Sequence, residues 1–443
     1  MKKNTFLLKS GIYGALCFLV AMGWVAPARA IVPVNGVPPT LTPVTINNGA
    51  GDQTDPHISG DWVAYTSDAS IRYYNFTTNT DAEIPRGASA RDLLSDISGS
   101  KIVFSRVITG VKTAVMVFDA STPAVAPIEI DEALGSNRLG SAIGGNTVAY
   151  IDFVLRPEGE MVIHDLATST SQRITSDASF DQNPSVSPDG TVVTWEHCPT
   201  SSTNCDIWQA VKSGTSWTVG PTMDSTTPEG NPDTNGSLVV YDSIRGLDRG
   251  DIFWRPVTGG AEVQLQMPSV EANPSIAGNL IALESRPTLF STTDIFVYDI
   301  TTNVLYQITD TPLVTEQLND ITVLPDGRIR VVWASDEDGF DARNVKAATF
   351  ALVASPTDLL QQLIDTVAAF NLRRGIANSL DAKLSNAQKA LETARSDDTA
   401  GACGMLGAFI NEVQAQSGKA LTVDQATELI DLANQVLTAL ECQ

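Results

Sequence analysis

Residues 181–195 read Asp-Gln-Asn-Pro-Ser-Val-Ser-Pro-Asp-Gly-Thr-Val-Val-Thr-Trp, which joins an acidic opening, a tight turn and a β-branched run that ends in an aromatic residue. Variants of this phrase recur along residues 50–335 and open at Gln53, Asp92, Arg138, Asp181, Glu229, Glu271 and Glu316. A repeat of about 40–45 residues made of four short strands is typical of a β-propeller blade. Because one such unit cannot bury both of its faces alone, we predict that the units stack around a central axis.

The repeats predict a mainly β fold, a seven-bladed propeller over residues 43–352. A six-bladed ring with one irregular unit is the alternative, since the second and third repeats lack the Pro. The last repeat is one strand short, and residues 42–46 resemble the outer strands of other repeats. We expect this N-terminal strand to complete the last blade and close the ring, which removes an open sheet edge.

The first thirty residues have the pattern of a signal peptide. Lys2, Lys3 and Lys9 precede an apolar run over residues 11–24, and Ala28-Arg29-Ala30 fits a cleavage site. We expect the mature protein to begin at Ile31 with a short leader, residues 31–42, and to be exported to the periplasm or outside the cell. The alternative is that these thirty residues remain as an uncleaved membrane anchor. After cleavage we expect no membrane insertion.

The formal net charge is −23 at pH 7. Such a surface repels nucleic acid and anionic lipid headgroups, and it attracts cations or basic partners. Solubility alone is the simpler explanation of the charge. We therefore expect a monomer with no nucleic-acid partner.

Four cysteines lie outside the signal segment, and an exported protein forms disulfides. Local pairing, Cys198 with Cys205 and Cys403 with Cys442, is the simplest of three connectivities. A zinc site is the rival interpretation, but no Cys-x-x-Cys motif or nearby histidine pair favours it.

Residues 356–443 change to a helical spacing rich in Ala, Leu and Gln. Apolar positions recur at three- and four-residue intervals from Leu380 to Leu391, and Thr422 with Gln425 forms a capping box. These features predict a small all-α bundle of four helices.

Two resemblances follow from these motifs. Residues 183–190 and the third-strand phrases Asp206-Ile207-Trp208 and Asp251-Ile252-Phe253 resemble the repeats of TolB-like propellers, also called WD40-like repeats. The C-terminal region, with Phe409-Ile410-Asn411-Glu412-Val413 and the flanking cysteines, resembles the FIMAH module of secreted bacterial proteins. The resemblances imply an exported propeller with a helical module, and they transfer no catalytic motif.

An acidic position recurs three residues before the Pro, at the loop that enters each innermost strand. We expect these acids to gather at one mouth of the central channel, where a basic partner or a calcium ion would relieve their repulsion. The alternative is that each acid caps its own turn. The predicted partner-binding acids are Asp92, Asp181, Glu229, Glu271 and Glu316, together with Asp52, which adjoins Gln53 at this position of the first repeat.

A second polar ring follows the Pro position by one residue. It consists of His57, Asp96, Asp233 and Asp320, with Ala142, Ser185 and Ser275 in the other repeats. His57 and Asp96 would lie on neighbouring blades, where a His–Asp pair can transfer protons. A structural hydrogen bond between the blades is the alternative.

No Gly-x-Ser-x-Gly elbow, phosphate loop or dinucleotide fingerprint is present in the sequence. We therefore expect an exported, non-catalytic binding or scaffolding protein for a protein or peptide partner, and the acidic ring favours a basic partner. We expect no cofactor, with calcium as the one exception considered. The alternative is a polysaccharide- or peptide-acting hydrolase or lyase that uses Asp181, Glu229 and Glu271 as acid and base.

Overall fold

The computed structural model describes residues 41–442 except 89, 133–134, 155, 200–203, 223–225, 246–249, 353–355, 371, 394–398 and 441. The predicted signal segment and most of the leader lie outside these residues. Within the described chain, strands β1 to β28 form seven four-stranded antiparallel sheets. The first strands of neighbouring sheets contact each other in a closed circle. The structure therefore confirms the seven-bladed propeller.

Each blade is numbered by its order in the chain. The innermost strands are β2 (Gln53–Ser59), β6 (Ala90–Ser98), β10 (Arg138–Gly144), β14 (Phe180–Val186), β18 (Glu229–Thr234), β22 (Val270–Ala277) and β26 (Glu316–Val323). The second strands are β3 (Trp62–Ser67), β7 (Lys101–Ile108), β11 (Thr147–Asp152), β15 (Val192–Cys198), β19 (Leu238–Ser243), β23 (Leu280–Arg286) and β27 (Ile329–Ser335).

The outermost strand is the shortest strand of each blade. The third strands are β4 (Ser70–Asn75), β8 (Lys112–Asp119), β12 (Glu160–Asp165), β16 (Asp206–Ser213), β20 (Asp251–Pro256), β24 (Asp294–Asp299) and β28 (Asn344–Phe350). The outermost strands are β5 (Thr80–Glu83), β9 (Ile128–Glu129), β13 (Thr170–Arg173), β17 (Ser216–Pro221), β21 (Val263–Gln264), β25 (Val304–Gln307) and β1 (Thr42–Asn47).

The N-terminal strand closes the ring as predicted. β1 pairs with β28 in antiparallel register, so that Val44 faces Ala347 and Thr45 faces Lys346. Ile46 is buried in the apolar cluster that joins blade 7 to blade 1. The first and last parts of the propeller are therefore held in one sheet.

Apolar clusters fill every interface between neighbouring blades. Between blades 1 and 2, Tyr73 packs with Ile102 and Phe104, whereas Val103 points the other way and packs with Tyr150 of blade 3. A second strand thus buries both of its faces, which explains the uninterrupted apolar runs in the sequence.

Strand direction gives the propeller two distinct faces. The loop face carries the loops between second and third strands and those that lead into the next innermost strand. The turn face carries the tight turns between first and second strands, where Gly60, Gly99, Gly145 and Gly278 adopt φ of 57–59°. Glycine suits these turns because it tolerates a left-handed backbone.

The described C-terminal residues form four helices, as predicted. They are α1 (Pro356–Ala369), α2 (Arg374–Thr393), α3 (Ala400–Gln416) and α4 (Val423–Ala439). Leu363, Leu384, Phe409 and Leu429 lie in their shared core, and the capping box of Thr422 and Gln425 is present at the start of α4. None of these helices is both long and apolar enough to cross a membrane.

Candidate functional site

Each innermost strand breaks its pairing register at the same point of the repeat. In blade 4 the break lies between Gln182 and Ser185. The residue before the Pro position has a φ of 48–64° in every blade, and these residues are Asp55, Leu94, Gly140, Asn183, Asn231, Asn273 and Leu318. Asparagine is frequent here because it tolerates the left-handed region better than most residues. The bulge therefore decides where the following side chains point.

The predicted inner ring directly follows this bulge, and its acids link neighbouring blades. Asp320 of blade 7 accepts a 2.8 Å hydrogen bond from the backbone N–H of Ile58 in blade 1. The same bond joins Asp96 to Ile143 N at 2.7 Å, and Asp233 to Ile276 N at 2.7 Å. Each carboxylate thus fastens the innermost strand of the next blade.

The structure brings His57 close to three of these carboxylates. His57 Nδ1 lies 3.5 Å from Asp96 Oδ1 and 3.7 Å from Asp320 Oδ2, while Nε2 lies 3.8 Å from Asp55 Oδ1. Burial lowers the pKa of His57, but the nearby carboxylates of Asp55, Asp96 and Asp320 outweigh it and raise the pKa to about 10. The imidazole is therefore protonated at neutral pH.

The ring acids interact across the central axis. Burial raises the pKa of Asp320 to about 7, the positive charge of His57 opposes that shift, and the charges of Asp233 and Asp96 add to it. Burial likewise raises the pKa of Asp96, with His57 opposing and Asp233 adding. Asp233 belongs to blade 5, so carboxylates from blades 2, 5 and 7 share one electrostatic environment. We call His57, Asp96, Asp233 and Asp320 the channel ring.

A second set of acidic side chains, which was not predicted from the sequence, lies on the second strands of blades 4, 5 and 6. Glu196 of blade 4 accepts hydrogen bonds from the side-chain amide of Asn183 at 2.5 Å and from the backbone N–H of Asn231 at 2.9 Å. Asp242 and Glu284 repeat this arrangement in the next two blades. Burial raises the pKa of Glu284 to about 7, although its hydrogen bonds oppose the shift. An acid after the end of the apolar run in three successive repeats was the available signal.

The predicted mouth acids are instead used inside the propeller wall. Asp92, Asp181, Glu229, Glu271 and Glu316 are each at most 3% exposed. Their side chains contact partners within the propeller, namely Arg106 for Asp92, Trp195 and His197 for Asp181, Arg245 for Glu229, Ser269 for Glu271 and Thr311 for Glu316. Asp52 binds Arg343 of blade 7 at 2.5 Å. The five buried acids therefore neither gather at an open mouth nor cap their own turns at the surface, and Asp52 bonds to a neighbouring blade.

We call the charged side chain at this repeat position, together with its side-chain partner in the propeller wall, the clasp of the blade. Blade 3 has a clasp with the charges exchanged. Arg138 occupies the acidic position of the repeat, and its Nε donates a 2.8 Å hydrogen bond to Asp152 on β11. In blade 2 the acid is on the innermost strand and Arg106 is on the second strand. The exchange explains why a basic residue stands at this position of the third repeat.

Both disulfides have the predicted pairing, Cys198 with Cys205 and Cys403 with Cys442. In the part of the chain that the structure describes, the group with metal-compatible spacing is Glu196 with Cys198 and Cys205. Those two sulfurs are bonded to each other, so they are not thiolate ligands.

The channel ring is the candidate functional site, because charged side chains of blades 1, 2, 5 and 7 come together there.

Comparison with known protein families finds no match, and comparison with curated proteins finds none either. A prolyl endopeptidase structure matches with a TM-score of 0.51 and 13% identity, over 68% of this chain and 47% of that chain. The chain thus spans about half the length of that endopeptidase. The β-propeller domain of the Trilobed protease from Pyrococcus furiosus matches with a TM-score of 0.50 and 13% identity, over 67% of this chain and 95% of that domain.

TolB from Acinetobacter baumannii matches with 17% identity and a TM-score of 0.38, over 68% of this chain and 78% of that chain. Other similar structures include a peptidase and an oligogalacturonate lyase. At these identities the likeness concerns the fold alone. The Trilobed protease domain has an open velcro topology, whereas β1 closes the ring here. The fold is therefore a closed propeller whose structural neighbours include TolB proteins as well as enzymes.

Proposed function

We propose that this protein is an exported, non-catalytic binding protein that receives a cationic group of a protein or peptide partner in its central channel. The channel ring carries this proposal, because three carboxylates and one imidazolium meet there with an excess of negative charge. A Lys or Arg side chain, or a peptide amino terminus, would neutralise that excess. The overall charge of −23 would also speed the approach of a basic partner.

Accessibility favours the channel ring over the acids of the blade clasps. The side chains of His57, Asp96 and Asp320 are 35%, 20% and 18% exposed. The clasp acids at Asp92, Asp181, Glu229, Glu271 and Glu316 are almost fully buried. A partner that enters the channel therefore meets ring carboxylates and not clasp carboxylates.

The hydrolase or lyase alternative has less support. Asp181, Glu229 and Glu271, the acids that it requires, are at most 3% exposed. A general base works best when its pKa is near the working pH. His57, with a pKa of about 10, holds its proton too firmly for that role at neutral pH.

The test uses the full exported chain and a fluorescein-labelled peptide of alternating Lys and Gly, with a Gln/Gly peptide as the neutral probe. Fluorescence anisotropy measures both affinities at low and moderate salt. We expect binding of the Lys peptide alone, and we expect it to weaken as salt rises.

Asp96→Asn/Asp320→Asn keeps an acceptor oxygen at each position, and it removes the carboxylate of Asp96 and that of Asp320, which carries a partial charge at neutral pH because its pKa is about 7. This variant should weaken binding of the Lys peptide by about tenfold or more. The charge-matched control is Asp326→Asn/Asp424→Asn, which changes two exposed acids. Equal affinity of both variants would overturn the proposal.

A further inference from the structure

Exposed apolar side chains are unevenly distributed between the two propeller faces. Phe290, Leu313 and Phe340 are 97%, 93% and 69% exposed, and all three lie in loops of the loop face. Val111, Val154 and Ile244 on the same face are 52–58% exposed. Among the described residues of the turn face, Ile128, Val125 and Val323 are 63%, 56% and 42% exposed, so none approaches Phe290 or Leu313. Clustered exposed apolar residues of this kind mark interaction surfaces in soluble proteins.

The three most exposed residues belong to loops that are joined to one another. Phe290 lies between β23 and β24, Leu313 between β25 and β26, and Phe340 between β27 and β28. The backbone N–H of Glu316 donates to Thr293 O at 2.8 Å, which ties the first loop to the second. Thr315 N donates to Asp336 Oδ1 at 2.5 Å, which ties the second loop to the third. We call residues 287–293, 308–315 and 336–343 the 6–7 rim.

The backbone of the second loop is strained at Leu313, whose side chain it holds outward. Leu313 has a φ of 70°, in the left-handed region that costs a residue with a Cβ roughly 1–2 kcal/mol. Its side chain gains no compensating burial, because it is 93% exposed. The guanidinium of Arg343 lies 5.2 Å from the ring centre of Phe340 and supports it from within the chain.

The charge around the 6–7 rim is acidic. Asp310, Glu337, Asp338 and Asp341 are exposed beside the apolar residues. Arg343 is already bound to Asp52 at 2.5 Å, and the neighbouring Lys346 is bound to Glu337 at 2.5 Å. A complementary surface would therefore combine apolar side chains with Lys or Arg.

We propose that the 6–7 rim is a docking surface for a protein segment that carries aromatic or aliphatic side chains next to Lys or Arg. The proposal rests on the proposed function, since it names the face and the partner chemistry of the same binding protein. The acidic charge disfavours the other occupants, because a second copy would oppose like charges and an anionic membrane would be repelled.

The experiment selects a phage-displayed library of random twelve-residue peptides on the immobilised full chain. We expect enrichment of peptides in which Trp, Phe or Leu stands next to Lys or Arg. The variant Phe290→Ser/Leu313→Ser/Phe340→Ser should bind the selected synthetic peptides about tenfold or more weakly than the wild type. The matched control is Val125→Ser/Ile128→Ser/Val263→Ser, which changes three exposed apolar residues away from the rim and should leave affinity unchanged.

The channel variant Asp96→Asn/Asp320→Asn separates this inference from the proposed function. If that variant loses affinity while the rim variant binds normally, the rim inference is wrong and the proposed function stands. If both variants bind normally, both proposals fail. Selection of no peptide, or of peptides without Lys and Arg, also overturns the rim inference. Concentration-dependent dimers in sedimentation, or binding to phosphatidylglycerol vesicles that the rim variant loses, would assign the rim to another occupant.

Discussion

Asp92 and Arg106 show how one residue of the repeat supports its blade. The carboxylate on β6 is fully buried and receives two hydrogen bonds of 2.7 Å from the guanidinium on β7. Removing one partner of such a pair leaves the other charge buried without compensation. We therefore expect Asp92→Asn to lower the free energy of unfolding by about 3–5 kcal/mol, as measured by urea denaturation at neutral pH.

The exchanged clasp of blade 3 provides the control for this prediction. The double change Asp92→Arg/Arg106→Asp reproduces the arrangement of Arg138 and Asp152, so it should restore a large part of the lost stability. Asp326→Asn, at a position 53% exposed, should cost less than about 1 kcal/mol. An equal cost for Asp92→Asn and Asp326→Asn would contradict the role of the clasp.

His57 makes stability depend on pH in a definite direction. Its pKa rises from 6.5 to about 10 in the folded protein. A raised pKa contributes stability that is complete below pH 6.5 and is lost as the pH rises through about 10. We expect the free energy of unfolding of wild type to exceed that of His57→Gln by an amount that shrinks from pH 6 to pH 10.

Urea denaturation of both proteins across that range measures the difference. In an Asp96→Asn/Asp320→Asn background, the same His57→Gln comparison should vary less with pH, because two of the charges that raise the His57 pKa are gone. A difference that stays constant between pH 6 and pH 10 would show that the imidazole is not held as a cation.

At the scale of secondary-structure elements, β1 decides whether the ring is closed. Thr45 lies opposite Lys346 in the antiparallel register with β28. Residues opposite each other in such a pair have Cα atoms about 4.5–5.5 Å apart, which a disulfide can span. We expect Thr45→Cys/Lys346→Cys to form a disulfide, seen as a mobility shift on a gel without reductant, and to raise the midpoint of thermal unfolding.

The control for this crosslink shifts one cysteine along the strand. Thr349 lies three positions from Lys346, roughly 10 Å away along β28. Thr45→Cys/Thr349→Cys should therefore stay reduced. Equal crosslinking of both pairs would mean that β1 does not keep the observed register.

The strands could be predicted from the sequence more fully than the bulges that interrupt them. Runs such as Val192 to Trp195 indicate strands because they are buried on both sides. The bulges could be recognised only in part. Asn183 is a residue type typical of the left-handed region, but Leu94 and Leu318 adopt it without any local signal. At Leu318 the backbone N–H donates a 2.6 Å hydrogen bond to Glu284 of the neighbouring blade, so a tertiary contact supports this conformation.

At the scale of the whole molecule, closure makes each blade depend on two neighbours. Phe104 is buried between blades 1 and 2, and Phe350 is buried between blades 6 and 7. We expect Phe104→Ala and Phe350→Ala each to lower the free energy of unfolding by about 3–5 kcal/mol. Each variant should still unfold in a single transition of the propeller, shifted to lower urea concentration. Far-UV circular dichroism of the β-sheet signal during urea denaturation measures this shift.

The double variant Phe104→Ala/Phe350→Ala tests whether the two distant interfaces unfold together. The losses in the free energy of unfolding caused by two separate cavities usually add to within about 0.5 kcal/mol when unfolding is cooperative. A transition that splits into two steps in either single variant would mean that groups of blades unfold independently, contrary to a closed ring.

The repeat, its strands and the closing strand could be predicted from the sequence, because spacing and apolar runs encode burial directly, whereas the blade number and the disulfide pairing were chosen among alternatives that the assembled sheets then settled. Which acids face the channel depends on the bulges of the assembled blades and could not be predicted from the repeat. Side chains of a regular strand alternate between two sides, but the register break between Gln182 and Ser185 interrupts that alternation. Asp181, before the break, turns into its blade, whereas Asp233, after the equivalent break in blade 5, faces the next blade at the channel.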